Sequence, residues 1–161
     1  MIAHSMPNED TIYWEDFHLG EKVEIGSTLV TREEIIEFAS RYDPQPFHVD
    51  EAKGRDSMFG GLIASGWHTC ALVMRMMCDA YLLESSSLGS PGLENIRWIK
   101  PVRPGDVLRT RMVVLEARPM ASKPEVGLLR NRWELINQNN EEVMQMEGYG
   151  MFGRRRVAVS T

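Results

Sequence analysis

Apolar and polar residues alternate over residues 23–31, which sends successive side chains to opposite faces and predicts a strand. The period then lengthens. Thr31 and Glu34 match a capping box, and Ile35, Phe38, Ala39 and Tyr42 follow at helical spacing. The short helix they predict stops before Pro44. Two prolines make residues 43–48 an irregular turn. Residues 65–83 are apolar almost throughout, with Arg75 and Asp79 spaced i, i+4 as a possible ion pair. This predicts one helix of roughly 28 Å, apolar on every side and therefore buried on every side. Residues 95–100, 106–117, 126–137 and 141–152 read as strands around it, with turns at 104–106 and 137–140 and loops at 85–92 and 119–124. The resulting fold class is α+β, an antiparallel sheet wrapped around a long central apolar helix.

At 161 residues the chain suffices for one domain with its own core. Residues 1–12 read as a flexible leader, 13–153 as the domain and 154–161 as a basic C-terminal tail. Hydrophobic residues make up 43% and charged residues 25%, a globular composition. The net charge of −5 argues against nucleic acid or an anionic membrane as a partner. Arg154, Arg155 and Arg156 form the one run of three like charges and read as a solvated end. Cys70 and Cys78 lie roughly 12 Å apart on the expected helix, beyond disulfide reach, and two free thiols suit a reducing compartment. With no secretory signal pattern and no membrane-length apolar run, the expected location is the cytoplasm. No Cys/His cluster has metal-ligand spacing, so no metal is expected.

Chemistry concentrates in residues 41–50. Asp43 and His48 place a carboxylate and an imidazole five residues apart in a proline-stiffened loop, which suits proton transfer. An aspartate before proline also serves as a cap or an Asx-turn, and spacing alone leaves both readings open. Residues 60–66, Gly-Gly-Leu-Ile-Ala-Ser-Gly, lead into the long helix. Free N–H groups at such an end can hold a developing oxyanion, while tight turns with Ser65 as an ordinary N-cap explain the same residues. His68 reads as a core histidine, and His4 and His18 as leader and loop residues. Asp50 fits a cap for residues 51–53. Met74, Met76 and Met77 are either core filler or the lining of an acyl channel. No nucleophile elbow or nucleotide loop occurs.

Taken together, Asp43-Pro44-Gln45-Pro46-Phe47-His48, Ile63-Ala64-Ser65-Gly66 and residues 98–106 resemble the MaoC-like dehydratase family, which includes the (R)-specific enoyl-CoA hydratases. The first segment is similar to that family's Asp-x-Asn-Pro-x-His, the second to its Ile-Ala-His-Gly, and the third to its strand signature after the helix. The resemblance implies a hot-dog fold. It also implies addition or removal of water across the C2–C3 bond of an acyl thioester, usually enoyl-CoA and 3-hydroxyacyl-CoA. By it, Asp43 and His48 are the catalytic pair and the Gly66 N–H is the oxyanion donor. Gln45, Phe47, Ser65 and Trp67 would then contact substrate. The resemblance further implies no cofactor beyond the coenzyme A of the substrate, and a homodimer. Gln45 replaces the usual Asn, Ser65 replaces the usual His, and Trp67 adds bulk. Two other readings remain: an acyl-CoA thioesterase, and a non-catalytic acyl-CoA-binding protein of the same fold. Arg97, Lys100 and Arg103 are candidate phosphate partners or a solvated strand end.

Overall fold

A computed structural model describes residues 9–156. Strand β1 (Lys22–Leu29) leads into α1 (Arg32–Tyr42), followed by two short helices, α2 (Pro46–Val49) and α3 (Glu51–Asp56), and by α4 (Gly66–Met77). The strands β2 (Leu93–Trp98), β3 (Val107–Pro119), β4 (Val126–Ile136) and β5 (Glu142–Gly153) complete the domain. All pairings are antiparallel, in the order β1-β3-β4-β5-β2. The sheet curls against α4 in the expected hot-dog arrangement.

Local chemistry sets the element ends. Thr31 Oγ1 accepts the Glu34 N–H and Glu34 accepts the Thr31 N–H, both at 3.2 Å, so each satisfies an orphan donor at the start of α1. The β4–β5 turn is held by Asn137, whose side-chain oxygen accepts the Asn139 and Glu141 N–H groups at 2.9 and 3.0 Å. The turn before β3 needs Gly105, whose φ of 88° lies in the left-handed region.

The inner sheet face contributes Leu108, Met112, Val114, Leu129, Trp133, Leu135, Met144 and Met146 to the core. Val73, Met76 and Met77 of α4 pack onto it. Complete burial of each such side chain stabilises the fold by roughly 1.5–3 kcal/mol before the loss of chain entropy.

The central helix differs from expectation in two ways. The α-helical part ends at Met77 and passes into a π-helical turn (Cys78–Leu82), closed by the Leu83 N–H donating to the Cys78 carbonyl at 3.2 Å. It is also covered on one side only: Trp67 and Met74 are 58% and 48% exposed. A single open sheet buries one helix face, and an apolar outer face carries no signal in its composition of what covers it. Arg75 and Asp79 do pair, at 2.9 Å. Among the described residues no helix is long and apolar enough to cross a membrane.

Both ends of the domain are more ordered than their composition suggests. Ile12, at the edge of the expected leader, bridges to Ser85 and packs against the core, while residues 1–8 lie outside the described residues. Arg154 lies over the Trp14 ring at 5.2 Å, and Arg155 forks onto both Asp16 oxygens at 2.8 Å. The start of the basic tail is therefore tied to the turn formed by Trp14–Asp16, although Arg155 and Arg156 remain exposed to solvent. Residues 157–161 lie outside the described residues.

Candidate active site

α1 stops where Pro44 forbids another turn, and the Asp43 N–H closes it on the Ala39 carbonyl at 2.9 Å. Pro46 then opens α2 at a position where a missing N–H costs nothing. That single helical turn points His48 inward until only 5% of it is exposed. Asp50 ends the loop by capping α3, accepting the Lys53 N–H at 3.0 Å.

The His48 ring has a defined tautomer. Its Nδ1 lies 2.7 Å from the Ile63 carbonyl oxygen, which can only accept, so Nδ1 carries the proton. In the neutral ring Nε2 is then a bare lone pair, 3.3 Å from Asp43 Oδ2. The carboxylate is held from two other directions: Gln45 Nε2 donates to Oδ1 at 2.8 Å, and Ser65 Oγ donates to Oδ2 at 2.7 Å. Burial alone would raise the Asp43 pKa. The Gln45 and Ser65 hydrogen bonds, with a smaller electrostatic contribution from the neighbouring His48 ring, outweigh it and leave the carboxyl below its usual range. Two facing acceptors lack a donor between them, and one water can offer a proton to each.

The second half of the site is the start of α4. The Ala64 N–H donates to the Val102 carbonyl at 2.8 Å, and Ser65 caps the helix by accepting the Trp67 N–H at 3.3 Å. The Gly66 N–H makes no hydrogen bond among the described residues. The Gly66 carbonyl, by contrast, accepts from Trp98 Nε1 at 3.0 Å and Thr69 Oγ1 at 2.6 Å. Trp98 packs so close that a Cβ on Gly66 would come within 2.3 Å of its ring, which explains the glycine. Trp67 meets Trp98 edge-to-face at 5.5 Å.

Asp43, Gln45, Phe47, His48, Gly66 and Trp67 line one cavity of about 390 Å³. Ser65, expected to touch substrate, is absent from that wall and fully buried behind Asp43. Lys100 lines the cavity and pairs with Glu141 at 2.5 Å. Arg103 donates to the Phe59 carbonyl at 2.5 Å, and Arg97 sits on β2 opposite Gln145. Sequence reasoning missed Trp98, Phe59 and Val143 as cavity residues. Trp98 stood in a motif segment, but nothing in the chain indicated that it would reach Gly66, 32 residues away.

The remaining candidates lie elsewhere. His68 is buried and stacked on Phe38 at 4.8 Å, and burial lowers its pKa, as suits a core histidine. Met74 and Met77 line a separate cavity of about 200 Å³ beside Tyr81 and Trp133, while Met76 is in the core. Among the described residues no three His, Cys, Asp or Glu side chains cluster as a metal site requires.

Residues 16–132 match the family described as MaoC like domain. The uncharacterized protein YdeM of Bacillus subtilis is 31% identical over 133 residues, spanning 83% of this chain and 93% of that protein. A MaoC-like dehydratase from Rhodospirillum rubrum is similar in structure, with a TM-score of 0.82 and 35% identity over 91% of this chain and 99% of that one. R-hydratase PhaJ1 from Pseudomonas aeruginosa shares the fold, with a TM-score of 0.71 at 22% identity and 94% of each chain covered.

Proposed function

Because this chain belongs to the MaoC-like dehydratase family, we propose that it adds water to, or removes it from, the C2–C3 bond of an acyl thioester. The substrate pair is an enoyl-CoA and its 3-hydroxyacyl-CoA. One observation carries this reading: two proton acceptors 3.3 Å apart, Asp43 Oδ2 and His48 Nε2, share a cavity with the free N–H of Gly66 at a helix start.

Hydration then runs as follows. Asp43 and His48 each accept a hydrogen bond from one water, turning an oxygen lone pair toward C3 of the enoyl group. As the C3–O bond forms, the water gives one proton to the pair. The C2–C3 π electrons move onto the thioester oxygen, where the Gly66 N–H stabilises the enolate-like charge. The proton held by the pair then goes to C2, and dehydration is the reverse. Every step is redox-neutral and needs no cofactor besides the coenzyme A of the substrate.

Thiol release by a thioesterase finds less support. The one carboxylate in the helical stretch from α4 through the π turn is Asp79, at its far end and engaged by Arg75. Ser65 is no nucleophile either, because its hydroxyl donates to the carboxylate instead of to the imidazole. A homodimer is proposed from the exposed apolar side chains of α4 and β2: Trp67 and Trp98 meet edge-to-face while 58% and 49% exposed, and Met74 and Leu93 are 48% and 49% exposed. Sedimentation at micromolar concentration tests it, and a monomer there refutes it. Free Cys70 and Cys78 support a reducing, cytoplasmic location.

The deciding experiment follows loss of enoyl-thioester absorbance across short, medium and branched trans-2-enoyl-CoA substrates, with a free-thiol readout in parallel. Absorbance loss without thiol release is the expected result. Thiol release establishes the thioesterase, and silence across the panel favours a binding protein.

A further inference from the structure

Ser65 is fully buried, yet its hydroxyl is engaged on both sides. It donates to Asp43 Oδ2 at 2.7 Å and accepts the Trp67 N–H at 3.3 Å. One oxygen atom thus joins the carboxylate at the end of α1 to the first turn of α4, 22 residues further along the chain. The cavity wall does not include it, so its hydroxyl reaches no substrate directly.

We propose that Ser65 is a positioning residue, which orients the Asp43 carboxylate and fixes its spacing from the Gly66 N–H. A carboxylate oxygen has two lone pairs in its plane. With Ser65 on one of the Oδ2 pairs and Gln45 on Oδ1, the other Oδ2 pair is left for the side facing His48 Nε2, where the reacting water of the proposed mechanism would bridge the two acceptors. Loss of the Ser65 bond frees the carboxylate to rotate and leaves it less stabilised as an anion. The titratable group facing Asp43 is His48 on α2, whereas Gln45 and Ser65 are neutral donors. The catalytic meaning of this arrangement rests on the hydration reading, but the arrangement itself is measurable without turnover.

The test compares Ser65→Ala, Ser65→Gly and Ser65→Thr with the wild type. The Asp43 carboxyl is titrated by carbon-13 NMR in the full-length protein. Glycine retains most of the helix-capping preference but has no hydroxyl, so it separates loss of the bond from loss of the cap. Threonine retains both. In the Ala and Gly variants the Asp43 titration moves up in pH, and in Thr it stays near wild type. In the hydration assay Ala and Gly lower kcat by about tenfold to 10²-fold, with KM little changed and the acid limb of the pH profile moved up with the titration. An unmoved Asp43 titration in a folded Gly variant overturns the proposal. So does a raised KM with unchanged kcat, which is the signature of a substrate contact. Should the wild type hydrate no thioester, the functional reading fails while the titration still decides the role of Ser65.

Discussion

Adding one methyl group at residue 66 tests how closely the site depends on the contact between α4 and β2. In Gly66→Ala the new Cβ would lie 2.3 Å from Trp98 Cε2, where ordinary contact begins at 3.4 Å. The two must separate by about 1.1 Å, since neither an indole edge nor a helix start compresses. Trp98 is 49% exposed and has room to swing outward. The variant therefore folds, at a cost near the low end of the roughly 1–3 kcal/mol typical of overpacking. Melting should fall by about 2–4 °C for each kcal/mol in a domain of this size. Function suffers more than stability. The departing indole gives up its hydrogen bond to the Gly66 carbonyl, and with that tether to β2 lost the first turn of α4, carrying the Gly66 N–H, is free to shift. A misplacement of about 1 Å costs on the order of 10²-fold in rate, equivalent to about 2.7 kcal/mol of transition-state stabilisation. The assay is loss of enoyl-thioester absorbance, read as kcat/KM beside a thermal melt. Combining Gly66→Ala with Trp98→Ala removes the clash and should recover part of the rate lost in the single variant. A folded Gly66→Ala protein with wild-type turnover would refute the assignment, as would a double variant worse than both single ones.

Four further outcomes are expected. Asp43→Asn and His48→Ala should each lose about 10²–10⁴-fold in hydration while melting cooperatively, and near-wild-type rates in either would remove the proposed pair. Asp43 has a lowered pKa in the folded state. Its stabilising contribution is therefore complete above the unfolded value of about 3.9 and drains away as pH falls through the folded one. Melting of Asp43→Asn should accordingly decline less steeply than wild type in that acid window, and parallel curves would contradict the shift. Trp67→Ala should raise kcat/KM for branched or longer acyl chains relative to short linear ones, and an unchanged ratio would free Trp67 of any role in selection. Thr31→Ala breaks the capping box and should lower stability by about 1 kcal/mol without altering the hydration rate.

What the chain revealed of itself follows the range of each interaction. The Thr31–Glu34 box, the stop at Pro44 and the Asn137 turn are settled within a few residues, and such features are readable from local order. The Asp43–His48 pair was visible as spacing, but its tautomer depends on the carbonyl of Ile63, a contact that periodicity does not reveal. Ser65 looked like an ordinary cap, and it is one. Its second bond, to Asp43, required knowing how α1 and α4 pack. The outer face of α4 misled for a related reason: Trp67 and Met74 announce burial, and among the described residues both stay about half exposed. The π turn after Met77 left no local mark, because residues 78–82 are compatible with a continuing helix.

The order of the elements also governs how the molecule is made. Asp43, His48, Ser65 and Gly66 all lie on a stretch synthesised before β3, β4 and β5, which supply most of the sheet that shelters α4. Between completion of α4 and completion of β5, roughly 76 residues must be added, about 4–15 s at ribosomal rates of about 5–20 residues per second. Until β3, β4 and β5 have followed, the apolar residues of α4 lack most of the sheet that buries them, so a nascent chain holding every catalytic candidate cannot yet form a working site. Transiently exposed apolar surface of this kind is what makes nascent chains prone to association. Ribosome stalling between residues 78 and 106 would lengthen that interval, whereas a stall before residue 66 would not.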